Sequence, residues 1–266
     1  QAEDGIRDSV ASRGLGDVYK RQELEVIGNM YRQRRYDECI KEVKAKLKQD
    51  PTSLHLLNYQ AMAYSALKRD GEALESYQKI IKRDPILAGP HYNMGIILKR
   101  NGRVEEAINN YKKDISLKSD YVQAYNNLGV LYKDQEEYEN AIEMFMKAKE
   151  LKPDHQNSYY NLALIKKEQG QSEEAIELLL KVLDLNPEHS EAKFNIALIK
   201  KDKGLLKEAK KYLFETLAAD ENHEKASKEL ATVFAEMGDF KKAAIWIRNL
   251  TKVNSKNKIN FYKKTK

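Results

Sequence analysis

Pro51, Pro85, Ser119, Pro153, Pro187, Glu221 and Ser255 stand in one column, each 34 residues beyond the one before. A beat of that size, kept without a slip, requires stacked supersecondary units. A segment so short cannot bury an apolar face alone, and neighbouring segments must bury it together. Contacts in such a stack reach only the adjoining unit, so the 266-residue length sets no number of globular domains.

Residues 122–155 give the clearest unit, VQAYNNLGVLYKDQEEYENAIEMFMKAKELKPDH. Tyr125, Leu128, Gly129 and Tyr132 fall at i, i+3, i+4 and i+7, one stripe of a helix with about 3.6 residues per turn. Ala141, Phe145 and Ala148 make a second stripe. A short polar turn, Gln135 to Glu137, returns the second helix antiparallel to the first. Across the units, one first-helix column holds Ala61, Gly95, Gly129, Ala163, Ala197 and Ala231. One second-helix column holds Cys39, Ala73, Ala107, Ala141, Ala175, Ala209 and Ala243. Small side chains let two backbones approach, and Tyr77, Tyr111, Phe145, Leu179, Leu213 and Ile247 are expected to fill the space beside them.

Tyr125, Leu128, Gly129, Tyr132, Ala141, Phe145 and Pro153 carry the tetratricopeptide repeat signature, and the chain resembles that family over residues 20–257. The resemblance implies an all-α fold, a right-handed α-solenoid of seven antiparallel helix pairs. Its units are 20–53, 54–87, 88–121, 122–155, 156–189, 190–223 and 224–257. The ends fit less closely. Ile27, Gly28 and Tyr31, then Tyr36 to Cys39, keep the pattern in the first unit with a turn read as one residue shorter. In the last unit Ser255 replaces proline and Ser227 the large aromatic, as in a terminal cap. Lys166 and Lys200 stand where the family has an aromatic, which predicts looser packing around snorkelling stems.

Residues 1–22 carry no repeat register. Within them DSVASRGLGDVYKRQ resembles an adapter-derived artefact at the end of an environmental gene prediction; the alternative is a flexible native tail. The array proper is placed at 23–257 and a basic tail at 258–266. No apolar run approaches the roughly 20 residues of a spanning helix, and the start has no secretory h-region. The single cysteine leaves no partner for an internal disulfide, and the expected location is cytoplasmic. Net charge is +6, but seven basic residues and no acidic ones fall between Arg248 and Lys266. The repeats are thus close to neutral, which argues against a nucleic-acid groove lined by bases and aromatics.

In the family that the chain resembles, first helices line the concave surface. The face opposite Leu128 and Tyr132 holds a column of asparagines, Asn93, Asn127, Asn161 and Asn195. An amide both donates and accepts, so such a ladder can pair with the backbone of an extended peptide. The resemblance extends to the asparagine ladders of O-linked N-acetylglucosamine transferases and kinesin light chains. The alternative is that these amides tie neighbouring first helices together. Beside them run Ile96, Val130, Leu164 and Leu198, then Lys99, Lys133, Lys167 and Lys201, and before them stand Tyr92, Asn126, Tyr160 and Phe194. Together they form an expected peptide-binding groove with an apolar floor, aromatic anchors, amide rungs and a lysine edge suited to an extended, partly acidic protein segment. The apolar column could equally pack sideways between repeats, and the lysines could be solubilising.

The family's clamp for chaperone C-termini fits poorly, because Glu25, Tyr59, Tyr92 and Ile96 replace its lysine, asparagine and lysine–arginine positions. His155, His189 and His223 share a column, yet equivalent points on successive repeats lie about 10–12 Å apart, too far to share one metal ion. Glu105, Glu106, Glu173 and Glu174 suit second-helix starts. No GxSxG, phosphate loop or CxxC occurs, and neither catalysis nor a cofactor is expected. The reading is a non-catalytic protein-binding scaffold. Its alternatives are the substrate-recognition arm of a larger glycosyltransferase or sulfotransferase, and an RNA-binding solenoid.

Overall fold

The computed structural model describes residues 18–251. Among them fourteen α-helices alternate with short turns. The first helices of the pairs are α1 Val18–Arg32, α3 Leu54–Ala66, α5 Ala88–Arg100, α7 Val122–Asp134, α9 Gln156–Glu168, α11 Ser190–Asp202 and α13 Glu224–Glu236. The second helices are α2 Tyr36–Leu47, α4 Asp70–Arg83, α6 Val104–Leu117, α8 Tyr138–Leu151, α10 Ser172–Leu185, α12 Leu206–Ala219 and α14 Phe240–Thr251. The chain divides into two units, residues 1–131 and 132–266. Within each unit helices pack against their neighbours in sequence, the all-α architecture of paired helices. Helix α1 starts at Val18, inside the segment set apart as a leader, while residues 1–17 and the tail at 258–266 lie outside the described residues.

The 34-residue beat has a backbone cause at two points. Six second helices carry acids in their first turn, such as Asp70 and Glu72, Glu105 and Glu106, and Glu173 and Glu174. Negative charge there meets the positive end of the helix dipole. Five of them stop at Asp84, Lys118, Lys152, Asn186 and Asp220, all extended with φ between −146 and −137°. Pro85, Pro153 and Pro187 follow directly, and a residue before proline is pushed out of the α region. The turn inside each pair has its own column: Arg34, Lys68, Gly102, Glu136, Gly170, Gly204 and Gly238 all have positive φ, from 61 to 79°. Glycine takes that conformation freely, whereas Arg34, Lys68 and Glu136 hold it at about 1–2 kcal/mol each. Arg34 keeps the common register, so the first turn, residues 33–35, matches residues 67–69 in length and is not shorter as the sequence reading had it.

Between the helices of a pair the small-residue columns are shut away from solvent. Cys39, Ala73, Ala107, Ala141, Ala175 and Ala209 are fully buried, as are Ala61 and Ala163. At Gly95 a Cβ would sit 2.6 Å from the Tyr111 ring, inside van der Waals contact, so the ring occupies the space that any side chain would need. Tyr77, Tyr111, Phe145, Leu179 and Leu213 fill the gaps as expected. Ile247 does not: it is 55% exposed, and Trp246 is buried in its stead, edge-on to Phe214 with ring centroids 6.2 Å apart. No later helix among the described residues covers Ile247, whereas Trp246 meets the core shared by α12, α13 and α14. Lys166 and Lys200 are bridged rather than loosely packed. Lys166 Nζ lies 2.9 Å from Glu174 Oε2 and Lys200 Nζ 2.8 Å from Glu208 Oε2, each tying a first helix to its own second helix.

Asp114 breaks the core pattern. From the second repeat to the sixth its column otherwise reads Ile80, Ala148, Val182 and Thr216, all buried, and Asp114 itself is 1% exposed. Neither carboxyl oxygen has a hydrogen-bond partner among the described residues. Burial lifts its pKa to about 7, so the folded chain holds this proton well above the usual carboxylate range. Because the folded value exceeds the unfolded one, the contribution to stability is most favourable at low pH. It is lost as pH rises from about 4 to about 7, at a cost on the order of 4 kcal/mol. Asp114→Ala is therefore expected to raise Tm more at pH 8 than at pH 5, and thermal unfolding at the two pH values checks it. Gly95→Ala should destabilise by about 1–3 kcal/mol, read by denaturant titration, because the Tyr111 ring must yield.

Candidate functional site

The candidate residues lie on the first helices, and helix periodicity sets their neighbours: residues three and four apart share a face. In the first unit α5 and α7 bring Tyr92 and Asn127 together, the Asn127 amide donating to the Tyr92 hydroxyl at 3.2 Å. Tyr92 is buried, with its ring edge-on to Tyr121 at 4.7 Å and tilted against Tyr111 at 5.8 Å. It is part of the packing between repeats, not an open anchor. Asn93, Ile96, Lys99, Asn126 and Val130 remain partly exposed on the same helices. The buried Asn126 Oδ1 has no hydrogen-bond partner among the described residues.

In the second unit the faces of α9, α11 and α13 enclose a groove of ≈ 470 Å³. Tyr160, Leu164, Lys167, Phe194, Asn195 and Leu198 line it, together with Glu191, Lys225, Lys228 and Glu229. Asn195 is fully engaged as a donor: its amide reaches the Tyr160 hydroxyl at 3.2 Å and the Glu191 carbonyl at 2.9 Å. Its Oδ1 accepts from Lys167 Nζ at 2.9 Å. Burial lowers the Lys167 pKa and raises that of Tyr160 to about 12, so both are held in the groove wall rather than in free solvent. Lys201 makes the same forward reach one repeat on, pairing with Glu229 at 2.5 Å, and that contact raises its pKa. Lys133 instead pairs with Asp134 at 3.3 Å. Asn161 donates to the Asn157 carbonyl in its own helix at 2.9 Å and keeps its second amide hydrogen and its oxygen uncommitted among the described residues.

Glu191, Lys225, Lys228 and Glu229 were missed in the sequence, although the 34-residue beat reaches the last three from residues on α11. Lys228 stands in the column of Phe194, Glu229 in that of Asn195, and Lys225 in that of Glu191. The residue type changes while the position persists, so a search for asparagines and aromatics stops one repeat early. Lys225 and Lys228 have no carboxylate partner among the described residues. They give the α13 end of the groove two ammonium groups outside any ion pair, beside an apolar floor and the carboxylates of Glu191 and Glu229.

Two members of the histidine column cap helices through their side chains. His189 and His223 occupy the N-cap positions of α11 and α13, and each Nδ1 accepts the backbone N–H three residues on, from Ala192 and from Ala226, at 3.1 Å. His155 Nδ1 lies 2.8 Å from the Ser158 hydroxyl. No group of three or more His, Cys, Asp or Glu residues is arranged to hold a metal among the described residues. No helix among them is long and apolar enough to cross a membrane.

Tetratricopeptide repeat models match residues 59–85 and 120–188, and a TPR repeat model matches residues 97–135. The chain carries tetratricopeptide repeats. Solved structures of similar fold include YrrB, described as a TPR protein with an unusual peptide-binding site, at 25% identity and TM-score 0.54, covering 67% of this chain and 92% of that one. The C-terminal part of a TPR repeat-containing protein from Cytophaga hutchinsonii is 17% identical with TM-score 0.69, over 88% of this chain and 98% of that one. PilF of Pseudomonas aeruginosa is 19% identical with TM-score 0.63, over 71% and 86%. No curated protein matches the chain.

The bonding pattern separates the asparagines of this TPR array by role. Asn195→Ala should lower stability by about 1–2 kcal/mol, since it frees the Tyr160 hydroxyl and the half-buried Lys167. Asn161→Ala should change it by less than about 0.5 kcal/mol. Chemical denaturation of the two variants checks the contrast.

Proposed function

We propose that this TPR protein is a non-catalytic scaffold whose first-helix groove holds an extended, acidic segment of a partner protein. The observation that carries the reading is the pairing of an apolar floor, Tyr160, Leu164 and Leu198, with the ammonium groups of Lys225 and Lys228, which stand outside any ion pair among the described residues. An extended segment turns alternate side chains to opposite faces, so one set can sit on the floor while a carboxylate meets α13. Asn161 supplies a backbone rung with spare hydrogen-bonding capacity, whereas Asn195 supports the wall. Burial of Tyr92 and Phe194 removes two aromatics from any base-stacking surface, which favours peptide over RNA.

Three synthetic octapeptides of equal apolar content test the proposal: alternating leucine with aspartate, with serine and with lysine. Fluorescence anisotropy at low salt should rank the aspartate peptide roughly tenfold tighter than the serine peptide, and the lysine peptide weakest. The double substitution Lys225→Glu with Lys228→Glu should invert that order. Equal affinity for all three peptides, or an order unmoved by the charge reversal, would discard the acidic-segment reading.

A further inference from the structure

We infer that His189 makes the groove of the second unit acid-sensitive, because the neutral ring that caps α11 also packs against Tyr160 of the groove wall. A ring nitrogen that accepts a backbone N–H cannot carry a proton. Once protonated the His189 ring must release Ala192, and it sets a positive charge at the positive end of α11. The consequence reaches the groove directly. The His189 ring centroid lies 5.1 Å from that of Tyr160. Tyr160 lines the groove, and the first turn of α11 presents Glu191 to it.

The charged group facing this ring is Glu191, which lies in the first turn of α11 behind His189, with its Oε1 3.3 Å from His223 Nε2. Burial outweighs Glu191 at His189 and holds that ring's pKa below the ordinary imidazole value. The folded value is depressed, so the capping contribution is complete above about pH 6.5 and is lost as pH falls through the folded value. An added positive charge would by itself attract an acidic segment. At His189 the Glu191 carboxylate offsets part of that charge, so loss of the cap dominates. Release of the bound segment on acidification rests on the groove reading; the cap switch does not.

The test compares the full chain with the His189→Asn variant, since asparagine caps a helix without titrating near neutrality. From pH 7.5 to 5.5, amide hydrogen exchange at Ala192, corrected for intrinsic chemical exchange, should speed up about fivefold in the native chain and stay level in the variant. Affinity for the alternating leucine–aspartate octapeptide should fall in the native chain only. His189→Ser, another capping residue, serves the same comparison if the asparagine variant fails to fold. Identical pH profiles in native and variant chains overturn the switch. Octapeptide binding absent at pH 7.5 defeats the groove reading, while the amide comparison still decides the cap.

Discussion

The close approach of the two helices within each repeat governs the rest of the molecule. Gly95 shows how little room there is, with the Tyr111 ring standing where its Cβ would go. The alanine and cysteine columns repeat that condition at pair after pair, with the larger side chains wedged beside them. Once the backbones are this near, the second helix takes up the core-forming side chains and the opposite face of the first helix is left to point elsewhere. Tyr160, Leu164, Leu198 and Lys167 stand on that remaining face, and so a groove follows from packing between partners within a pair.

Much of the architecture was legible because steric rules act on residue size, and size is written in the sequence. Small columns, large fillers and proline stops each recur on the beat. What escaped notice depended on conformation or on partners. The left-handed turn column runs through Arg34, Lys68 and Glu136 as well as four glycines, so residue type conceals a shared backbone angle. Asp114 reads as one more acid on a charged chain until the helix places it in the column of Ala148 and Val182. The histidines invited a metal reading because type and column matched, yet each ring of His189 and His223 serves its own helix end.

The arrangement of the first-helix columns was legible only in part for a related reason. Six of the residues read from those columns line one groove. Direction of reach, however, belongs to rotamers. Lys167 and Lys201 bend forward onto the next repeat, and Asn127 and Asn195 turn back onto a tyrosine of the previous one. Amides of one column are therefore divided, Asn127 and Asn195 bonding back across repeats and Asn161 within its own helix. Two further ammonium groups, Lys225 and Lys228, line the groove from α13.

Those backward and forward reaches carry a genetic consequence. The Asn127–Tyr92 and Asn195–Tyr160 contacts both span 35 residues, one repeat plus one position. Copying a whole unit in phase reproduces both halves of such a tie, together with the turn and the proline stop. An insertion or loss of any other length leaves a hydroxyl facing the wrong neighbour. Lineages of such chains can thus lengthen or shorten in whole beats, and drift of the residues on the free face can then retune what each added beat holds.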